Sequence, residues 1–289
     1  MPSGALLLDK PTGITSARAV AKVKRFLPKG TRIGHTGTLD PLASGLLVLL
    51  IGRATRLSRY VTGLDKTYTA TTRFGAVSDT LDADGNITPL QDASTPDEPA
   101  LREAARLLTG DILQTPPMAS AVKVKGERLY KAHRRGETIE RESRPVTVHD
   151  FELLSLQGDT ATFHVSCSSG TYVRALISDL ALSLDTGAYL TALRRTSVGN
   201  ITTETAVQPD DLTPEALDTH IIQPTVVVAH IPGVEVSGEE RSLVCNGRRL
   251  GEFGIRGIFR VEVGEELLAI YRDDGEGGGA RAEVVLCAP

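Results

Sequence analysis

A mixed α/β domain followed by a small β-rich domain is the architecture this sequence predicts, and three observations carry it. Through about the first 200 positions, runs with helical spacing of apolar residues alternate with runs of strand-like alternation. Beyond about residue 225 only short β-rich runs remain, separated by glycine and acidic turns, as in a small barrel or sandwich. The length of 289 residues suits two domains, drawn at 1–225 and 226–289.

Taken in order, Leu6-Leu7-Leu8 is a short buried strand leading into the turn Asp9 to Gly13. Thr15 or Ser16 caps a helix whose inner positions are Val20, Val23 and Leu27, and Pro28 and Gly30 end it. Lys22, Lys24 and Arg25 mark its outer face. The stretch from Gly34 to Gly45 has three glycines and a proline, which predicts a shaped loop before the apolar run Leu46 to Ile51. Lys66 to Phe74 reads as a strand with Tyr68, Ala70, Thr72 and Phe74 on one face, and Asp79 to Gly85 as an aspartate-rich turn. A helix is expected from about Pro99 to Leu108 and a strand over Ala161 to Cys167. Ser168 to Thr171 then turns into a helix with the stripe Val173, Leu176, Ile177 and Leu180, and Arg174 sits beside that stripe. Pro209 to Pro224 is patternless and is the expected boundary.

The longest apolar run is too short to span a bilayer, and Met1 to Leu8 lacks the basic start of a signal peptide. Cys167, Cys245 and Cys287 are odd in number and far apart, which argues against disulfides and for a reducing cytoplasm. The scattered histidines predict no metal site. The net charge of −4 conceals blocks: residues 1–75 hold twelve basic and three acidic side chains, and 123–144 hold eight and four. Between them 76–122 is acidic, as is everything from Pro145 on. Two separated basic blocks suit either solvated faces or a polyanionic partner.

The chemistry concentrates in Gly34-His35-Thr36-Gly37-Thr38-Leu39-Asp40-Pro41-Leu42-Ala43-Ser44-Gly45. The proline holds Asp40 extended, and the glycines let a ligand approach the backbone. Taken alone, Asp40 fits an Asx turn as well as a nucleophile.

This segment resembles the signature of the TruB family of pseudouridine synthases, which act on uridine 55 in the T loop of transfer RNA. Further blocks resemble the family in the same order: Leu8 to Ser16, Lys66-Thr67-Tyr68, Asp79 to Gly85, Gln114 to Pro117 with Ser120 to Lys123, Cys167 to Arg174, and Leu193 to Thr196. The resemblance implies a pseudouridine synthase fold with a largely antiparallel central sheet, and a C-terminal PUA-like β-barrel. It implies Asp40 as nucleophile, Arg174 as its charge partner and Tyr68 stacked on the base, where it also helps remove the C5 proton. His35 would support the flipped base, Tyr172 and Leu193 would line the uridine pocket, and Lys10 and Pro11 would lie on the substrate side. An RNA-clamping insertion falls at about 115–150, where Lys123, Lys125, Arg128, Lys131, Arg134 and Arg135 would contact phosphates. Ala119, His133 and Tyr189 depart from the family pattern. The partner it implies is the T stem-loop of transfer RNA, and no cofactor, membrane or obligatory protein partner is expected. Two rival readings remain: a guide-RNA-dependent synthase, which shares these motifs, and an RNA-folding protein whose catalysis is dispensable, which the basic blocks suit equally but which would not require Asp40.

Overall fold

Residues 2–91, 93–120, 122–124, 126–275 and 278–288 are described by the computed structural model. Among them, ten strands form one sheet: β1 (Gly4–Lys10), β2 (Ile33–His35), β3 (Ser44–Ile51), β4 (Lys66–Phe74), β5 (Gly110–Gln114), β6 (Arg144–Gln157), β7 (Thr160–Cys167), β8 (Ala188–Val198), β9 (Ile201–Thr202) and β10 (Ile221–Ile222). The order across it is β10-β1-β3-β8-β4-β7-β6-β5, with β2 added to β3 and β9 to β8. Every pairing is antiparallel except β3 with β8, where Ser44 and Gly45 lie beside Arg194 and Arg195. That parallel contact joins the two halves of the sheet.

Helices α1 (Ser16–Lys24), α2 (Glu98–Leu107) and α3 (Val173–Leu182) start where the sequence supplies a start. Thr15 accepts from the Arg18 N–H to cap α1, and Asp97 accepts from Ala100 to cap α2, followed by a proline in the first turn. Their inner residues, among them Ala19, Val23, Leu101, Leu176 and Ile177, share a core with Leu8, Leu49, Ala70 and Phe163.

The unbroken apolar run of β3 has a specific cause. Leu47, Leu49 and Ile51 face this helical core, while Leu46, Val48 and Leu50 face a second core containing Val227, Val228, Leu267, Ile270 and Leu286. A strand covered on both sides reads as continuous hydrophobe. In β4, by contrast, one face is half-exposed and the alternation is clean.

The second cover is the C-terminal sheet, β11 (Gly233–Glu235), β12 (Gly257–Val263), β13 (Glu266–Asp273) and β14 (Arg281–Val285), with helix α4 (Gly238–Cys245) against it. Its order is β11-β12-β13-β14, and among the described residues the ends do not meet, so the expected closed barrel is an open four-stranded sheet. Its β14 side is covered instead. Arg53 donates to the Leu286 carbonyl at 2.9 Å and Arg56 to that of Val285 at 2.6 Å. Arg59 and Tyr60 both engage the Glu283 carboxylate. Side-chain donors on that edge leave less room for an added strand.

Three further expectations change. Cys245 and Cys287 form a disulfide across 42 residues, because folding brings the end of α4 beside the residues after β14, a proximity invisible in linear spacing. Cys167 is buried and free. The supposed loop from Gly34 to Gly45 is irregular only over 36–43, since Ile33–His35 pairs with β3 and Gly45 belongs to β3. The patternless 209–224 stretch buries Leu212 and Leu217 in the helical core and supplies the edge strand β10. Within the 115–150 insertion, the hairpin Lys123–Val124 with Glu127–Arg128 and the helix Leu129–Arg134 stand apart from the sheet. Arg144 onward already belongs to β6. Among the described residues no helix is long and apolar enough to cross a membrane.

The disulfide closes a long loop, and losing such a link typically costs about 2–4 kcal/mol. Cys245→Ser/Cys287→Ser should therefore unfold at lower urea than the oxidised parent, and reductant should abolish the difference. Equal midpoints under oxidising conditions would show that the link adds nothing.

Candidate active site

Residues 36–43 cross the sheet beside the β3–β8 contact, and neighbouring side chains set their shape. The Ser16 hydroxyl, in the first turn of α1, accepts from the Leu39 N–H at 2.8 Å and donates to the Leu39 carbonyl at 2.9 Å. The Gly13 N–H donates to the Pro41 carbonyl at 2.8 Å. Arg195, on β8, donates to the carbonyls of Leu46 at 2.7 Å and Gly37 at 3.1 Å. Gly45 has φ +97°, and a Cβ there would collide with the Arg195 backbone, so only glycine lets β3 and β8 approach.

Asp40 emerges from this loop half-exposed, and Arg174 meets it from the first turn of α3. That turn is fixed by the buried Gln114 amide, which accepts from the Tyr172 N–H at 2.7 Å and donates to the Tyr172 carbonyl at 3.1 Å. Arg174 is buried rather than merely beside the stripe, with its side chain 5% exposed. Nη2 donates to Asp40 Oδ2 at 2.7 Å and to the Ala119 carbonyl at 2.9 Å. Nη1 donates to the Thr80 carbonyl at 2.6 Å and lies 3.4 Å from Asp82 Oδ2. One guanidinium thus joins the Asp40 loop, the aspartate turn, the start of the insertion and α3. Ala119 contributes only its carbonyl.

Asp82 was not singled out in the sequence. It is buried, and its Oδ1 accepts from the Thr80 hydroxyl at 2.6 Å and the Asp84 N–H at 3.2 Å. The only signal was the run of aspartates itself. Asp84, nearby, has its pKa raised by burial and by Asp82. Arg195 was missed too, although Leu193 pointed to it. Residues two apart on a strand share a face, and in the β4–β8 register Ala70 lies opposite Leu193 and Tyr68 opposite Arg195.

Asp40, Tyr68, Tyr172, Arg174 and Leu193 line a single cavity of ≈430 Å³, together with Lys66 and Arg195. Burial raises the Tyr68 pKa, with Arg195 pulling the other way, so the phenol is protonated at neutral pH. Burial likewise raises Tyr172. Burial lowers Lys66 to about 8, and its ammonium donates to the carbonyls of Thr62 and Leu64. His35 and Pro11 are outside the lining. The His35 Nδ1 accepts from the Gly37 N–H at 3.4 Å, and burial, then Arg195, lowers its pKa. Lys10 is fully buried, and its ammonium donates to the carbonyls of Pro11 and Ile14, both at 2.8 Å. Burial brings it to about 8 against the pull of Asp40.

Of the six insertion cations, Lys125 and the side chains of Lys123 and Arg128 lie outside the described residues. Lys131 is exposed, Arg134 stacks 5.7 Å from the Tyr130 ring centre, and Arg135 is held between Glu127 and Glu137.

Comparison with known proteins shows the family. Residues 24–173 match the TruB family pseudouridylate synthase N-terminal domain. The chain belongs to the TruB family. It is 44% identical over 250 residues to a tRNA pseudouridine synthase B of Azoarcus sp. strain BH72, covering 86% of this chain and 83% of that one. It is 40% identical to a tRNA pseudouridine synthase B of Arthrobacter sp. strain FB24, over 100% of this chain and 98% of the other. Among solved structures, a chain in a crystal structure of a Cbf5-Nop10-Gar1 complex superposes with TM-score 0.76 and 26% identity, covering 99% of this chain and 85% of that one. The pseudouridine synthase fold therefore holds for this chain.

Arg174→Ala strips the counter-charge from the buried Asp82 carboxylate, and breaking such a pair from one side costs about 3–5 kcal/mol. Asp40→Asn alters a carboxylate that water already reaches, so its cost should stay below about 1 kcal/mol. Urea unfolding of both variants checks this, and similar losses would refute the division between the two aspartates.

Proposed function

We propose that this chain isomerises uridine 55 of the transfer RNA T loop to pseudouridine, as a stand-alone cytoplasmic enzyme without cofactor or guide. The observation that carries the reading is the Asp40 carboxylate, half-exposed into a cavity lined by Tyr68, Tyr172 and Leu193, with Arg174 at 2.7 Å. The family, and relatives bearing the name tRNA pseudouridine synthase B, support the substrate.

In this reading Asp40 is the nucleophile. Arg174 engages Oδ2 and leaves Oδ1 toward the nucleotide. The planar guanidinium also fixes the carboxylate's orientation, which a lysine does not. The target uridine leaves its folded loop and enters the cavity. The C1′–N1 bond breaks, the ring turns, and C5 joins C1′. The C5 proton is lost and N1 gains one, so the formula is unchanged. A carboxylate serves this either by adding to C6 or by capturing C1′. The raised pKa of Tyr68 suits a stacking face and neutral hydrogen-bond donor better than a standing base for the C5 proton.

RNA grip is assigned to the insertion through Lys123, Lys125, Arg128, Lys131 and Arg134, whereas Arg135 must first release Glu127 and Glu137. Residues 226–289 form a PUA-like RNA-binding domain in this reading. That segment has seven basic and eleven acidic residues, and Arg241 is engaged by Glu266, so any grip rests on a local face of exposed cations such as Arg248, Arg249 and Arg256.

The test is tritium release from a 5-tritiated transfer RNA transcript with no added guide. The parent should turn over, and Asp40→Asn should bind the RNA yet form no detectable pseudouridine. Arg174→Lys should be slowed less than Asp40→Asn, and Asp40→Asn/Arg174→Ala should be no slower than Asp40→Asn alone, because residues acting as a unit are non-additive. Substantial turnover by folded Asp40→Asn would refute the nucleophile. Binding without release by the parent would mark an RNA-folding protein, and dependence on a guide would mark the other synthase class.

A further inference from the structure

Residues 10–39 contain seven Lys and Arg and no Asp or Glu. Lys10 is buried and Lys22 is paired with Asp210. Arg18, Lys24, Arg25, Lys29 and Arg32 are exposed, and among the described residues none has a carboxylate in ion-pair range. Several exposed arginines on or against the catalytic sheet are engaged instead: Arg59 by Glu283, Arg73 by Asp159, Arg102 by Glu98 and Arg106 by Glu103.

The free cations have a defined position. Helix α1 is stapled to the Asp40 loop at Ser16 and runs outward about 12 Å to Lys24 at 1.5 Å per residue. The chain turns at Pro28 and returns through β2 to His35, whose ring bonds the Gly37 N–H. The basic stretch therefore begins and ends at the catalytic loop, with its cationic turn at the far end.

At that turn a half-open cavity of ≈530 Å³ lies against the short 3₁₀ helix Gly52–Leu57, lined among others by Lys24, Gly30, Thr31, Arg32 and Thr55. Thr31 is only 5% exposed, and its hydroxyl has no hydrogen-bond partner. A buried hydroxyl without a partner is unfavourable, and its O–H needs an acceptor. An acceptor that also suits two flanking cations is a phosphate oxygen.

We propose that the turn between α1 and β2 is a second RNA-backbone site, which takes a phosphodiester of the transfer RNA at a distance from the flipped uridine. Lys24 and Arg32 supply charge and Thr31 supplies a directed donor. The inference rests on the transfer RNA reading above and adds a contact to it.

The test is the salt dependence of affinity for an unmodified transfer RNA transcript. Each neutralised phosphate contact contributes roughly 0.7–0.9 to the slope of log K against log salt. Lys24→Gln/Arg32→Gln should thus flatten the slope by roughly 0.7–0.9 and weaken binding about tenfold at low salt. Thr31→Val removes an unsatisfied hydroxyl at constant shape, so it should raise the melting temperature while weakening RNA binding several-fold. An unchanged slope in the double variant overturns the proposal, whatever Thr31→Val does. Pseudouridine formation by the parent is measured alongside. If the parent converts RNA and the slope is unchanged, this site fails alone. If the parent binds without converting, the catalytic reading fails while the slope still reports on the turn.

Discussion

The buried guanidinium of Arg174 is the contact on which the site depends. It stands between Asp40, which water reaches, and Asp82, which water does not. A cation in that position costs several kcal/mol to desolvate and is tolerated only with its donors satisfied. Its donors reach the two carboxylates and the Thr80 and Ala119 carbonyls, which lie in three segments far apart in the chain. The same contact that closes the fold around α3 therefore also orients the Asp40 carboxylate. A substitution there disturbs both, which is why stability and turnover must be read separately.

The second constraint is the parallel seam of β3 and β8. Gly45 lets the strands meet, and Arg195 reaches from that seam to hold Gly37 and stand opposite Tyr68. Beyond the seam, β3 is covered on both faces, by helices on one and by the C-terminal sheet on the other. The C-terminal sheet is thus part of the packing of the catalytic strands. Deleting it would bare Leu46, Val48 and Leu50, so a truncated chain is a poor probe of what that sheet contributes to RNA binding.

Charge in this molecule is meaningful only after partners are subtracted. Arg53 and Arg56 belong to the basic N-terminal block but donate to carbonyls just after β14 and on β14, and Arg59 meets a carboxylate of the same strand. They hold two sheets together. Apart from Lys22, which Asp210 engages, the cations from Arg18 to Arg32 have no such employment among the described residues, and their field remains available within the screening length of about 10 Å.

What the sequence determined by itself was everything local or periodic. The β4 strand, the Thr15 cap and the buried stripe of α3 follow from spacing and from side chains that act on their own backbone. The motif around Asp40 and its companions, in order along the chain, identified the family because residue types at fixed spacing are a linear property. Tertiary structure alone decided what depends on distance between remote segments. It selected Asp82 from several aspartates in one turn and made Arg174 a buried bridge. It also joined Cys245 to Cys287 and left the C-terminal strands as an open sheet. It sorted engaged arginines from free ones as well. Burial and pairing are properties of neighbours in space, and a list of residues does not contain them until the chain has folded.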